Sequence, residues 1–412
     1  MPADVASFDD LLLSPEYVES PYATYDLLRN ERPVYWCQKW NGWLLTRFDD
    51  VQAVLQDPKN FSNAGRYTKF LAPLSADQRA QLGYLQHHYE HGGLVQLDPP
   101  AHTRLRKLVN SAFTPRIVGK MEGLVHEIVA DLIAAFADED DVELIYRFAF
   151  PLPAIVIAGM LGVPRDERDR FKDWSSTIQR FLGSGKVNFE YALAAQDAWQ
   201  NMNGYFADLF AERTARPQDD LVSGLAQAEV DGETLTRDEV IRTCGAMLIA
   251  GHETTTNLIS NGLWRLLDCP RQLERLRADP NLYPPAVEEF LRCESPFQSA
   301  PRTLTADFVL RGQALKRGDL AYAMLGAANR DPVRFPNPQE LDLGRKDNKH
   351  LAFGYGVHFC VGAALARLEA PIAIRAILER FPDIRLDERR PPMWKVSMVQ
   401  RGMEQFWLRL HC

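Results

Sequence analysis

The chain has 412 residues, with 47 Lys and Arg against 55 Asp and Glu, and the formal net charge of −8 argues against a nucleic-acid groove. Apolar residues make up 46% and charged residues 25%, which excludes a mostly disordered, collagenous or coiled-coil chain. Six scattered cysteines without a CxxC pair, and an acidic start without the basic head and apolar stretch of a signal peptide, set the expectation of a cytoplasmic protein.

Along the first hundred residues short helices mix with strand-like pieces, such as 42–46, followed by a helical stretch at 49–55. From about 101 to 285 the pattern is almost entirely helical, with apolar residues at helical spacing over 113–136, 166–181 and 189–215. The longest apolar run, 148–164, carries Pro151, Pro153 and Pro164 and is short for a bilayer crossing, so it reads as a buried helix. After Pro296 the strand candidates are 300–309, 320–325 and 396–410, interrupted by one helix at 361–381. No repeat or linker separates these stretches. The expected fold is mainly α with minor β (α+β). It forms a single domain over 1–412, with a helix-rich core at about 101–295 and a mixed strand and loop region at about 296–412.

One helix stands apart. Thr236 and Glu239 form a capping box, and helical character then runs to Asp268, before Cys269-Pro270. At about 1.5 Å per residue it spans more than about 40 Å. Its middle, Ala250-Gly251-His252-Glu253-Thr254-Thr255-Thr256, sets a glycine and three β-branched residues where the helix should be strongest. Such an insert between apolar flanks predicts a local opening that serves chemistry. The alternative is a surface-facing turn whose threonines bond back to carbonyls.

Several motifs fail. His252-Glu253 lacks the second His of a zinc protease, because position 256 is Thr. Gly354-Tyr355-Gly356 lacks the third glycine of a dinucleotide loop, because position 359 is Phe. No GxSxG elbow and no GxxxxGK[ST] loop occurs. What holds is Phe353-Gly354-Tyr355-Gly356-Val357-His358-Phe359-Cys360-Val361-Gly362, in which flanking glycines let the backbone approach a flat ligand while one thiol is presented alone. A lone thiolate in a nest of backbone N–H groups near a helix N-terminus is a good soft metal ligand, and without a second Cys or His nearby it cannot complete a zinc site.

That decapeptide resembles the haem-binding signature of the cytochromes P-450, with Cys360 at the position of the axial thiolate. Glu289-Phe290-Leu291-Arg292 resembles the family's ExxR motif, and Ala250-Gly251-His252-Glu253-Thr254-Thr255 its oxygen-activating helix. Asp98-Pro99-Pro100-Ala101-His102-Thr103-Arg104-Leu105-Arg106 is similar to the soluble bacterial branch. The resemblance implies a cytochrome P-450 fold, a haem-enclosing domain and haem b (iron protoporphyrin IX). It implies His102, Arg106, Arg302 and His358 as propionate partners. Glu289 and Arg292, by spacing alone a surface ion pair, become by resemblance a buried structural lock on the loop carrying Cys360.

A thiolate opposite dioxygen favours O–O cleavage, which points to monooxygenation of a small lipophilic substrate by hydroxylation or epoxidation. Glu253 and Thr254 match the family's acid–alcohol pair that relays protons, and Gly251 would let the helix open. His252 matches no fixed role and reads as solvent- or core-facing. The chain has no flavin or dinucleotide fingerprint and no cluster-binding cysteine set, so electrons come from separate proteins, and the resemblance implies a ferredoxin or flavodoxin with its NAD(P)H-dependent reductase. Arg104, Lys107, Lys349 and Arg367 are docking candidates for that acidic partner, with ordinary solvated charges as the alternative. By analogy the substrate pocket draws on 82–95 with Tyr84, His87, His88 and Tyr89, on 181–189, on Ala246, Ile249 and Ala250, on Phe297, Gln298 and Ser299, and on Val399. For the tyrosines and histidines a mobile surface loop is the equal alternative. A monomer without membrane or nucleic-acid partners is expected. A peroxide-driven haem enzyme and a non-catalytic haem sensor or carrier stay as alternatives.

Overall fold

The computed structural model describes residues 8–65, 70–164, 167–183 and 187–411. Helices dominate and short strands form small sheets, as expected for a mainly α chain with minor β. Two compact units make up the chain. The first takes Met1–Arg66, Ser260–Cys360 and Glu388–Phe406, the second Tyr67–Ile259, Val361–Asp387 and Trp407–Cys412.

The first unit is built on a five-stranded sheet in the order Val34–Cys37, Gly42–Leu45, Leu320–Ala323, Ala300–Leu304, Phe61–Ser62. Only the Leu320–Ala323 and Gly42–Leu45 pair is parallel. The close approach at Gly42 explains its identity, since a β-carbon there would meet Tyr322 Cε2 at 2.7 Å. The helix Phe48–Gln56 lays Phe48, Val51 and Leu55 into a core with Phe61, Leu304, Phe335 and Leu351. The expected strand 300–309 is two strands, because Thr305 leaves the sheet to donate to Lys59 O at 2.6 Å. Phe308–Leu310 instead pairs with Gln313–Leu315 across Arg311 and Gly312, whose φ angles of 48° and 77° suit a tight hairpin.

In the second unit Phe189–Ala215 is a helix over the expected range, and Pro115–Ala134 fills the centre of 113–136. The helix expected from 166 starts at Arg168, and Asp166 lies outside the described residues. The apolar run at 148–164 becomes a π-helical turn, Ile145–Ala149, and the helix Pro151–Met160. Among the described residues no helix is long and apolar enough to cross a membrane.

The expected helix-rich stretch at about 101–295 also carries short strands. Asp141–Glu143 is a strand inside the helical stretch, paired with Trp407–Arg409, and Glu229–Val230 pairs with Glu233–Thr234. The second pair turns on Asp231 and Gly232, at φ 57° and 78°, a two-residue Asp-Gly hairpin signal visible in the sequence. Likewise 396–410 is not one strand. Met403–Gln405 and Trp407–Arg409 join different sheets, and upstream of them Gln400 makes only an isolated bridge to Phe297.

Candidate functional site

The thiol loop belongs to the first unit. Gly354 and Gly356 have φ of 72° and 71°, a conformation costly for any side chain, and the Gly356–His358 turn is followed by Cys360, whose N–H donates to Phe353 O at 2.9 Å. The chain thus folds back over 353–360 and leaves Cys360 exposed, with Val357 and Phe359 exposed beside it. His358 is half-buried. Arg302 is buried on the strand Ala300–Leu304, with Nη1 donating to Pro301 O at 3.0 Å.

Glu289 and Arg292 lie one turn apart on the helix Tyr283–Cys293 and are both fully buried, so they are not the surface pair that spacing alone suggests. Arg292 Nη2 and Nε donate to the two Glu289 oxygens at 2.7 and 2.8 Å. The same carboxylate accepts from Arg345 Nε, Asn348 Nδ2 and the Asp342 N–H at 3.0–3.1 Å. Arg292 also reaches the carbonyls of Asn329, Pro338 and Glu340. Burial alone would lower the guanidinium pKa, but the Glu289 bonds outweigh it and raise it. The pair therefore holds the 329–348 stretch, and Leu351 N–H donating to Asn329 Oδ1 at 2.7 Å continues the attachment up to the thiol loop.

The second unit carries the acid–alcohol segment. The long helix, Arg237–Leu267, has 31 residues and opens on the expected box, with Thr236 N–H donating to Glu239 Oε2 and Glu239 N–H to Thr236 Oγ1. It is helical without interruption, so the expected opening at its centre is corrected. The three threonines donate to the carbonyls four residues back, Thr254 to Ala250 at 2.8 Å, Thr255 to Gly251 at 3.1 Å and Thr256 to His252 at 2.9 Å. Those back-bonds belong to the alternative reading, yet the segment is no surface turn, since Glu253, Thr255 and Thr256 are buried. Gly251 serves packing, as a β-carbon there would stand 3.3 Å from Ile157 Cγ1. His252 is core-facing, with Nδ1 3.0 Å from Leu248 O and its ring 5.0 Å from that of Phe150.

His102 and Arg106 share the helix Ala101–Ala112, His102 buried and Arg106 half-buried with Nε donating to Asn110 Oδ1 at 3.0 Å. Burial, followed by the Arg106 charge, lowers the His102 pKa, so that imidazole favours its neutral form. Arg104 meets Glu239 and Glu233 at 2.6 and 2.8 Å, Lys107 meets Asp231 at 3.5 Å, and Lys349 meets Asp347 at 3.7 Å, while Arg367 is exposed. Arg104, Lys107 and Lys349 thus already face acids of their own chain.

The pocket candidates divide. Ala246 is half-buried, Ile249 buried and Ala250 exposed on the long helix. Phe297 and Val399 are half-buried. Gln298 is turned into the protein, its Oε1 accepting from Tyr25 OH at 2.8 Å and its Nε2 donating to Ser295 O at 2.6 Å. Ser299 is buried, its Oγ donating to Met398 O at 2.8 Å. Within 82–95, Gly83–Glu90 is a helix rather than a mobile loop. His88 and Tyr89 are buried against Trp199, and Asn203 Nδ2 donates to Tyr84 OH at 2.8 Å. Burial pushes the His88 pKa down to about 3, so it packs as a neutral aromatic. Of 181–189, residues 184–186 lie outside the described residues.

Residues 50–401 match the family model described as Cytochrome P450. The chain belongs to the cytochrome P450 family. It is 40% identical to Cytochrome P450 107B1 of Saccharopolyspora erythraea, over 98% of each chain. It is 38% identical to the Vitamin D(3) 25-hydroxylase of Pseudonocardia autotrophica, over 96% of this chain and 94% of that one. Among solved structures it resembles P450BioI in complex with hexadec-9Z-enoic acid ligated acyl carrier protein, with a TM-score of 0.87 and 35% identity over 96% of this chain and 99% of that one.

This cytochrome P450 is therefore a monooxygenase with a P450 fold, and its family implies a haem cofactor. The residues present fit that group. The thiol loop offers a soft ligand atom, glycine backbone on both sides of the turn, and apolar exposed side chains suited to a flat macrocycle. Sequence reasoning missed Arg345 and Asn348 as partners of Glu289, because their contribution comes from a loop with no periodic signal.

Proposed function

We propose that this cytochrome P450 inserts one oxygen atom of dioxygen into a small lipophilic molecule, with haem b as its cofactor and Cys360 as the residue whose thiolate would bind its iron. The carrying observation is the exposed Cys360 on a glycine-hinged loop flanked by Val357 and Phe359. Bound there, haem would supply oxygen activation assisted by thiolate donation. His102, Arg106, Arg302 and His358 are the donors for its propionates, the neutral His102 as a hydrogen-bond donor and the arginines as charges. Thr254 and Glu253 move protons, with the Thr254 hydroxyl free to trade its bond to Ala250 O for an ordered water. Ala246, Ile249, Ala250, Phe297 and Val399 face the substrate. The Gln298 amide, already engaged by Tyr25 and Ser295, shapes that wall through its backbone. Two relatives support a lipophilic substrate, one named for vitamin D3 hydroxylation and one solved with an acyl chain on its carrier.

Electrons come from a separate ferredoxin or flavodoxin with its NAD(P)H-dependent reductase, acting on a cytoplasmic monomer. The deciding experiment is the ferrous carbonyl spectrum of the purified holoprotein. A red-shifted Soret band that is lost in Cys360→His is expected, and an unshifted band in folded protein overturns the assignment. Product formation with peroxide alone, unaffected by Thr254→Ala, would replace the dioxygen reading with a peroxide-driven one.

A further inference from the structure

In the first unit the segment 397–401 has almost no sheet to hold it. Its regular pairing is one bridge, Phe297 with Gln400, flanked by Gln298 N–H to Val399 O at 2.6 Å and Arg401 N–H to Pro296 O at 2.9 Å. Side chains do the rest. Ser397 Oγ accepts from the Val399 and Gln400 N–H groups, and Ser299 Oγ donates to Met398 O. At the end of the segment Arg401 is buried, with Nε donating to Glu294 Oε2 at 2.8 Å and its two terminal nitrogens to the carbonyls of Val18 and Glu19 at 3.2 and 2.9 Å. Glu294 is buried as well, and its carboxylate also accepts from Arg330 Nη2 at 2.8 Å and Tyr22 OH at 2.7 Å. Asn261 Nδ2 donates to Arg401 O at 3.0 Å. Trp394 covers the guanidinium, 3.7 Å from its ring centroid.

A buried carboxylate with two guanidiniums is a poor way to gain stability, because apolar residues of the same volume do as well or better. What it supplies is direction. The Arg401 fork bonds a side chain and two separate carbonyls at once, which fixes both the position and the rotation of the backbone that carries it. Burial would raise the Glu294 pKa, but Arg401 and Arg330 hold it low, so the clamp is charged across the neutral range.

We propose that Arg401 and Glu294 are positioning residues that set the register of the 296–298 and 399–401 segments, and with it the shape of the wall that Phe297 and Val399 present to substrate. The inference rests on the assignment of those two side chains to the pocket. Neither clamp residue touches substrate. Their effect is selectivity, because small displacements of a wall side chain change which ligand fits against it.

The test measures dissociation constants of 1-phenylimidazole and 4-phenylimidazole for the ferric holoenzyme by optical titration, together with the melting temperature and the ferrous carbonyl band. Arg401→Lys keeps the charge and loses the fork. It should change the ratio of the two constants by about fivefold or more while the carbonyl band stays in place. Tyr22→Phe, which removes one bond to Glu294, should shift the ratio the same way by a smaller factor, and it stands in if Arg401→Lys does not fold. If the clamp variants lower the melting temperature and leave the ratio unchanged while Phe297→Ala or Val399→Ala shifts it, the clamp is structural only and the proposal falls. If neither alanine variant shifts the ratio, the pocket assignment fails and the positioning role falls with it.

Discussion

A β-carbon on Gly356 would stand 2.7 Å from the carbonyl oxygen of Leu55, at the end of the helix Phe48–Gln56. The thiol loop is thus seated directly on backbone that cannot move aside cheaply, and Gly356 also has a left-handed φ of 71°.

Two glycines of one turn therefore respond differently. Gly356→Ala combines the left-handed conformation with the clash and should destabilise by about 2–4 kcal/mol, with a fall in haem loading of the purified protein. Gly354→Ala has the same conformational cost, but its nearest neighbour would be His358 O at 3.6 Å, so about 1 kcal/mol is expected. Equal urea midpoints for the two variants would show that the Leu55 contact does not constrain the loop.

Arg292→Lys retains the charge beside Glu289 but cannot make both bonds to the carboxylate and the three to the carbonyls of Asn329, Pro338 and Glu340. The loss should be about 3 kcal/mol, read as a lower urea midpoint, and little stable holoprotein should accumulate. A variant as stable as the parent would mean that Arg345, Asn348 and the Asp342 N–H suffice to hold the Glu289 carboxylate.

Thr254→Val keeps the shape of the side chain and removes only the Oγ bond to Ala250 O, so stability should change by less than about 1 kcal/mol. Product formed per reductant consumed should fall on the order of tenfold if the hydroxyl manages protons. Unchanged coupling would assign Thr254 to helix structure alone.

The features legible in the sequence were those with local causes. Phe353 to Gly362 stood out because a turn with two left-handed positions needs its glycines, and the long helix because Thr236 and Glu239 cap it reciprocally. The strand Asp141–Glu143 was hidden because its partner, Trp407–Arg409, lies near the other end of the chain. At the helix centre the weak residues predict an opening. The structure shows how a continuous helix absorbs them, with hydroxyls satisfying carbonyls and Gly251 admitting Ile157. The burial of His88 and Tyr89 and the bond to Tyr84 could not be read either, since Trp199 and Asn203 supply them from a distant helix.

Glu369 gives a pH-dependent prediction. It lies on the helix Ala363–Arg380, only 1% exposed, and its Oε2 has no hydrogen-bond partner among the described residues. Burial pushes its pKa from 4.5 up to about 8. The folded protein thus holds a proton that the unfolded chain releases, and between those two values unfolding is increasingly favoured as pH rises. The neutral carboxyl costs little below pH 4.5, and the penalty grows to the order of a few kcal/mol by about pH 8, beyond which it levels off. Glu369→Gln removes the titration and keeps the shape. The melting temperature of the parent minus that of the variant should therefore fall steadily between pH 5 and pH 8 and flatten above. Parallel curves across that window would mean that water or a cation keeps the carboxylate ionised in the folded protein.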